Sequence, residues 1–156
     1  MQVKENPMSI NMAQFPQGVL LGLRVREKAV LLATLARQAA EATASSTAVV
    51  LAALQRREAL GSTGMGQGIA IPHASVPGLV QPFGLLALLA APIDFAAVDD
   101  LPVDIVVLLL TPQTEKAADL QALSGIARRL RQPAVLAALR QAEDEVDVWD
   151  AWERAS

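Results

Sequence analysis

Residues 103–110 read VDIVVLLL, an apolar run rich in β-branched residues with no polar face after Asp104. A strand of this kind has to be covered on both sides, because neither of its alternating faces suits water. Two more short apolar runs bounded by Gly and Pro, GIAIPH at 68–73 and FGLLALLA at 83–90, predict further buried strands. Around them the periodicity is helical. Ala29, Val30, Ala33, Leu35 and Ala36 recur near helical spacing within about 26–42. Ser45 or Ser46 can cap a helix over about 47–58 that Gly61 ends. Thr114 precedes a helix reaching about Leu130, Pro133 opens one through Arg140, and a last helix runs over about 144–154 with Val148, Trp149 and Trp152 for docking. Strands between helices imply an α/β layer fold with helices packed on a mostly buried sheet.

The 156 residues suffice for one domain with a real core, and no repeat or low-complexity linker divides them. The expected division is a flexible leader over 1–18, rich in polar residues with Pro7 and Pro16, followed by a single domain over 19–156. With 53% hydrophobic and only 3% aromatic residues, Ala, Leu and Val must fill the interior.

Composition also excludes functions. A net charge of −3 without a basic face argues against nucleic acid as a partner. The chain has no cysteine and one histidine, so neither a thiolate metal site nor a multi-histidine site can be assembled. No metal and no cofactor are expected. The N-terminus lacks the pattern of a signal peptide, and the apolar run over 84–98 is too short and too interrupted, by Pro92 and Asp94, to insert in a membrane. The expected location is therefore the cytoplasm.

That sole histidine, His73, ends the stretch GSTGMGQGIAIPH. Glycines 61, 64, 66 and 68 permit a turn whose N–H groups can cradle an anion, and phosphate is the natural occupant. The spacing matches neither nucleotide fingerprint: the P-loop Lys and Ser/Thr are missing, and the dinucleotide glycines are misplaced. What remains is a phosphate-friendly turn leading to an imidazole that is largely neutral near pH 7 and able to take a phosphoryl group covalently. Spacing alone leaves open the other reading, in which the glycines serve turns and the histidine packs.

Residues 57–74, REALGSTGMGQGIAIPHA, resemble the active-site segment of the fructose- and mannitol-type IIA domains of the bacterial phosphoenolpyruvate-dependent phosphotransferase system, and most of all its nitrogen-regulatory branch. The resemblance continues more weakly through 91–112 and 119–130. It implies an α/β fold with a single-layer mixed β-sheet flanked by helices on both faces. It further implies a regulatory phosphoryl-accepting component: His73 takes the group from a histidine phosphocarrier protein, Arg57 steadies the phosphate, and Ser62, Thr63, Gly64, Gly66 and Gly68 shape the phosphate-binding loop. Downstream it implies a regulated protein partner such as a kinase or transporter. The alternatives are a sugar-specific IIA domain serving a separate IIB component, or a IIA-like binding module that no longer transfers. The Ala-rich helix surfaces permit self-association.

One departure stands out. Where the family commonly carries a second histidine in a His-Leu-x-x-Leu pattern, this chain has Asp119-Leu120-Gln121-Ala122-Leu123. Such a carboxylate can fix the tautomer of His73, repel incoming phosphoryl charge, or simply face water. Arg128, Arg129 and Arg131 read as a solvated face, Trp149 and Trp152 as anchors of the last helix, and Asp99 with Asp100 as a turn before Pro102.

Overall fold

The structure, a computed structural model, describes residues 15–114 and 116–154. Its centre is the strand expected first: β6 (Val103–Pro112). Antiparallel to it on one side runs β5 (Phe83–Ile93), and parallel to β5 lies the edge strand β1 (Gly18–Leu23). On the other side β6 pairs in parallel with β3 (Ile69–Ala70) and β4 (His73–Val76), while β2 (Gly64–Gly66) closes that edge antiparallel to β3. The result is one mixed sheet of six strands.

Alternation on β5 and β6 sends side chains into two separate cores. Leu85, Ala87, Val106, Leu108 and Leu110 meet α1 (Lys28–Thr43) and α2 (Thr47–Ala59), which place Leu31, Leu35, Val50 and Leu54 against them. Leu86, Leu88, Ile105, Val107 and Leu109 meet the other face's helices, α3 (Lys116–Leu130), α4 (Pro133–Gln141) and α5 (Glu145–Glu153), through Ile126, Leu130, Leu136 and Trp152. Each fully buried Leu, Ile or Val contributes about 1.5–3 kcal/mol relative to exposure, so the doubly apolar pattern of β6 is what selects a three-layer arrangement.

The helix boundaries follow from local chemistry. Ser46 accepts a hydrogen bond from the Val49 N–H and caps α2, Pro133 occupies the first turn of α4, and Asp144 caps α5 by accepting from the Asp147 N–H at 2.8 Å. Ala44 ends α1 in the left-handed conformation.

Three features differ from the sequence expectation. The stretch 15–18, assigned to the leader, belongs to the domain: Phe15 is fully buried, packs 5.3 Å from the Trp152 ring and lies over Gly84, and Gly18 begins β1. The remainder of that leader, 1–14, lies outside the described residues. Strand β1 has no counterpart in the sequence expectation, although 19–23, VLLGL, is a short apolar run behind Gly18. The run GIAIPH, expected as one strand, is two. Pro72 has no N–H to give the ladder, yet its carbonyl still accepts from Leu109 N–H at 3.0 Å, so β3 and β4 keep a common register on β6 across the interruption.

Candidate functional site

Strand β2 covers the outer edge as far as Ala70, and Thr63 just before it takes the Ile71 N–H. Beyond that point the edge is open, and β4 exposes its first residue, His73, between helices that belong to opposite faces of the sheet. The C-terminal turn of α2 brings Arg56, Arg57 and Leu60 from one side, and the start of α3 brings Asp119 and Leu123 from the other. Together with Ser75, Leu109, Thr111 and Gln113 they enclose an open cavity of about 460 Å³ around the imidazole.

The hydrogen bonds on the ring define its state. His73 Nδ1 is 2.8 Å from the Ile71 carbonyl oxygen, which can only accept, so Nδ1 carries the proton. Nε2 is 3.2 Å from Arg57 Nε, which can only donate, so Nε2 presents its lone pair. Burial, which disfavours the charged form, is the main reason the pKa of His73 falls below its ordinary 6.5. The Arg57 cation pushes the same way, against the opposing pull of the Ile71 carbonyl, Glu58 and Asp119. At neutral pH the ring is a neutral nucleophile with Nε2 pointing at the guanidinium.

Arg57 is held for this position: its Nη1 donates to the Gly61 carbonyl at 3.0 Å, which leaves the remaining N–H groups of the fork for an anion. Asp119 shares the cavity. Its Oδ2 accepts weakly from the Ser75 hydroxyl at 3.4 Å, and its Oδ1 is buried without a partner. Among the described residues no cluster of three or more His, Asp or Glu could hold a metal, and no described helix is long and apolar enough to cross a membrane.

His73, Arg57 and Asp119 are thus brought together around one cavity. The glycine-rich turn is not: none of Ser62, Thr63, Gly64, Gly66 and Gly68 lines the cavity. Ser62 donates to the Phe95 carbonyl at 2.7 Å and accepts from Gly64 N–H; Thr63 is buried and directs its N–H and its hydroxyl to Glu58. Gly64 lies so close to Ala97 that a side chain would overlap it. Gly66 and Gly68 take positive φ, +96° and +82°, in a turn tied down by Asp99, which accepts from Gln67 N–H, and by Arg140, which donates to Gln67 O and pairs twice with Asp104. The Gly68 carbonyl accepts from Asp104 N–H and Ile105 N–H, so the turn is built into the sheet edge. Glu58 was missed in the sequence, since an acid at a helix end ordinarily faces water.

Of the features read as incidental, Arg129 is not purely solvated. It donates to the Trp152 carbonyl at 2.6 Å and lies 5.3 Å from that indole ring, linking α3 to α5. Asp99 and Asp100 do form a turn, with Leu101 N–H on Asp99 at 3.1 Å.

A single neutral histidine beside an arginine, at the open edge of a mixed sheet, fits a class of phosphoryl-relay domains. The family model described as "Phosphoenolpyruvate-dependent sugar phosphotransferase system, EIIA 2" matches residues 15–154, and the chain belongs to that family. Within it, the similarity runs to the nitrogen regulatory branch. The nitrogen regulatory protein of Bradyrhizobium diazoefficiens is 44% identical over 129 residues, 83% of this chain and 84% of that protein. The crystal structure of nitrogen regulatory protein IIA-Ntr from Neisseria meningitidis superposes with a TM-score of 0.81 at 31% identity, covering 86% of this chain and 92% of that one. A fructose-specific EIIA component of Haloferax volcanii is 38% identical over 100 residues, 64% of this chain and 65% of that protein.

Proposed function

We propose that this chain accepts a phosphoryl group from a phosphohistidine carrier protein on Nε2 of His73, and that it acts as a regulatory component, its phosphorylation state read by a protein partner such as a kinase or transporter. The observation that carries this reading is the hydrogen-bond pattern on the ring, which leaves Nε2 as an unprotonated nucleophile facing an arginine.

The chemistry needs little else. The N–P bond to the donor imidazole breaks as the bond from Nε2 to phosphorus forms, and the electron pair returns to the donor ring. Nδ1 keeps its proton throughout, and the Ile71 carbonyl steadies the positive charge the ring acquires. Arg57 turns its fork from Nε2 to the equatorial oxygens, where paired N–H donors offset the charge of the transferring group. Positioning and oriented charge suffice for a transfer between two like nitrogens.

Asp119 shapes the energetics. A carboxylate on the same cavity raises the cost of a phosphorylated neighbour, so phospho-His73 is a higher-energy species here than with a neutral residue at 119. The fructose-specific relative favours a second reading, a sugar-specific IIA domain handing its phosphate to a separate IIB component. Labelled phosphocarrier distinguishes the two. Label that enters wild-type chain but not His73→Ala, and stays when candidate IIB proteins and sugars are added, supports the regulatory reading. Discharge that depends on sugar supports the second, and absence of label from wild type refutes both.

A further inference from the structure

Helix α2 ends in two adjacent charged residues with opposite destinations. Arg57 turns toward His73, whereas Glu58 turns inward, its side chain only 7% exposed. There it accepts the Thr63 N–H at 3.1 Å and the Thr63 hydroxyl, and pairs with Lys28 Nζ at 2.8 Å. Lys28 comes from α1 and is fixed in turn, 4.4 Å over the Phe95 ring.

A carboxylate so deeply placed is costly unless its hydrogen bonds are complete, and here both oxygens are engaged. The bonds lead directly to the imidazole. Thr63, pinned at its N–H and its hydroxyl, accepts Ile71 N–H on its carbonyl at 3.0 Å. Ile71, whose backbone the following proline restricts to extended angles, then offers its own carbonyl to His73 Nδ1 at 2.8 Å. Three links, Glu58 to Thr63, Thr63 to Ile71 and Ile71 to His73, therefore connect a buried carboxylate to the ring nitrogen that carries the proton. Catalytic histidines commonly have a carboxylate on Nδ1 directly; in this chain the same orienting role passes through two peptide units.

We propose that Glu58, acting through Thr63 and Ile71, is a positioning residue that holds His73 in its Nδ1–H tautomer and so keeps the Nε2 lone pair available. Lys28 neutralises Glu58 and locks its rotamer. The proposal deepens the phosphoryl-accepting reading of His73, on which its functional meaning rests, but the tautomer can be observed without any transfer.

With one histidine in the chain, the imidazole ¹⁵N spectrum reports a single site. In wild type it is expected to show one neutral tautomer with the proton on Nδ1. In Glu58→Gln, which cannot accept both Thr63 donors, and in Thr63→Val, which lacks the hydroxyl, the Nε2–H tautomer appears. The rate of phosphoryl acceptance then falls about ten- to a hundredfold at unchanged KM for the carrier, as displaced reacting groups do. Thr63→Ser restores both readouts. Protonation cannot explain a slower Glu58→Gln, because removing that charge lowers the His73 pKa further and leaves the ring more neutral. Should Glu58→Gln fail to fold, Thr63→Val decides by the same two readouts. Folded variants with the wild-type tautomer, differing only in melting temperature, overturn the proposal. If wild type accepts no phosphoryl group, the function reading fails while the spectrum still decides the positioning role.

Discussion

Arg57 Nε and His73 Nε2 face each other at 3.2 Å, so the guanidinium donor and the unprotonated ring nitrogen satisfy one another. The arrangement keeps the lone pair unprotonated and, on the proposed function, holds a guanidinium where phosphate oxygens would arrive. It also means that Arg57 has two tasks, and they can be separated by substitution.

Arg57→Ala is expected to lower the single-turnover rate of phosphoryl acceptance by about a hundred- to a thousandfold, the usual cost of losing one oriented charge donor. Arg57→Lys keeps the charge but not the fork and should fall between. Both variants should retain the fold, since Arg57 is only half-buried. Rapid-quench kinetics with a phosphorylated carrier, together with melting curves, measure both effects. Equal rates for Lys and Ala would place the weight on fork geometry alone.

Burial holds the His73 pKa below 6.5, so acceptance by the neutral ring should persist into mildly acidic solution, with an acid midpoint under that value. The same shift couples to stability. The unfolded chain binds the extra proton first as pH falls, so the stabilisation from this group is complete above about 6.5 and is lost as pH drops toward the folded pKa. An NMR titration of the single histidine gives the midpoint, and denaturant curves at several pH values give the slope. A midpoint at or above 6.5 contradicts this picture.

Asp119→Asn removes a negative charge from the cavity around His73, the proposed phosphoryl acceptor. At fixed carrier, the equilibrium occupancy of phospho-His73 should rise by about tenfold, roughly 1.4 kcal/mol. The variant should not be less stable than wild type, because Oδ1 of Asp119 is buried without a partner and loses no bond. Quantifying phosphorylated and free chain after equilibration with the carrier tests this; unchanged occupancy would mean that solvent screens the carboxylate.

Gly84 lies where any side chain would overlap the buried Phe15 ring. Gly84→Ala should therefore destabilise by about 1–3 kcal/mol through overpacking, about 2–4 °C in melting temperature for each kcal/mol. Phosphoryl acceptance should survive at low temperature, since Gly84 does not itself line the cavity and meets it only through its ladder partner Leu109. Calorimetry measures the first effect and the label assay the second.

Much of this architecture could be read from residues whose role is local. The two apolar faces of residues 103–110 announce a covered central strand, and Ser46, Pro133 and Asp144 mark helix starts because a cap or a fixed φ acts within one turn. His73 and Arg57 could be paired through the family resemblance of the continuous segment 57–74. What escaped is non-local. The open edge beyond Ile71 depends on where the pairing from 63–66 stops, the place of β1 at the sheet edge needs β5, and the buried state of Glu58 needs Lys28 from another helix. The glycine turn misled for the same reason: its torsions suit an anion nest, but Asp99, Asp104 and Arg140, all distant in sequence, occupy its surroundings.

The central claim is that Nε2 of His73 accepts a phosphoryl group. Its most direct test is intact-mass analysis of the chain after incubation with phosphoenolpyruvate, the system's first enzyme and its histidine phosphocarrier, with peptide mapping of any adduct. The account predicts one acid-labile phosphoryl group on wild type, mapped to His73 and absent from His73→Ala. An unmodified wild-type mass under conditions that phosphorylate the carrier, or an adduct that persists in His73→Ala, would contradict it.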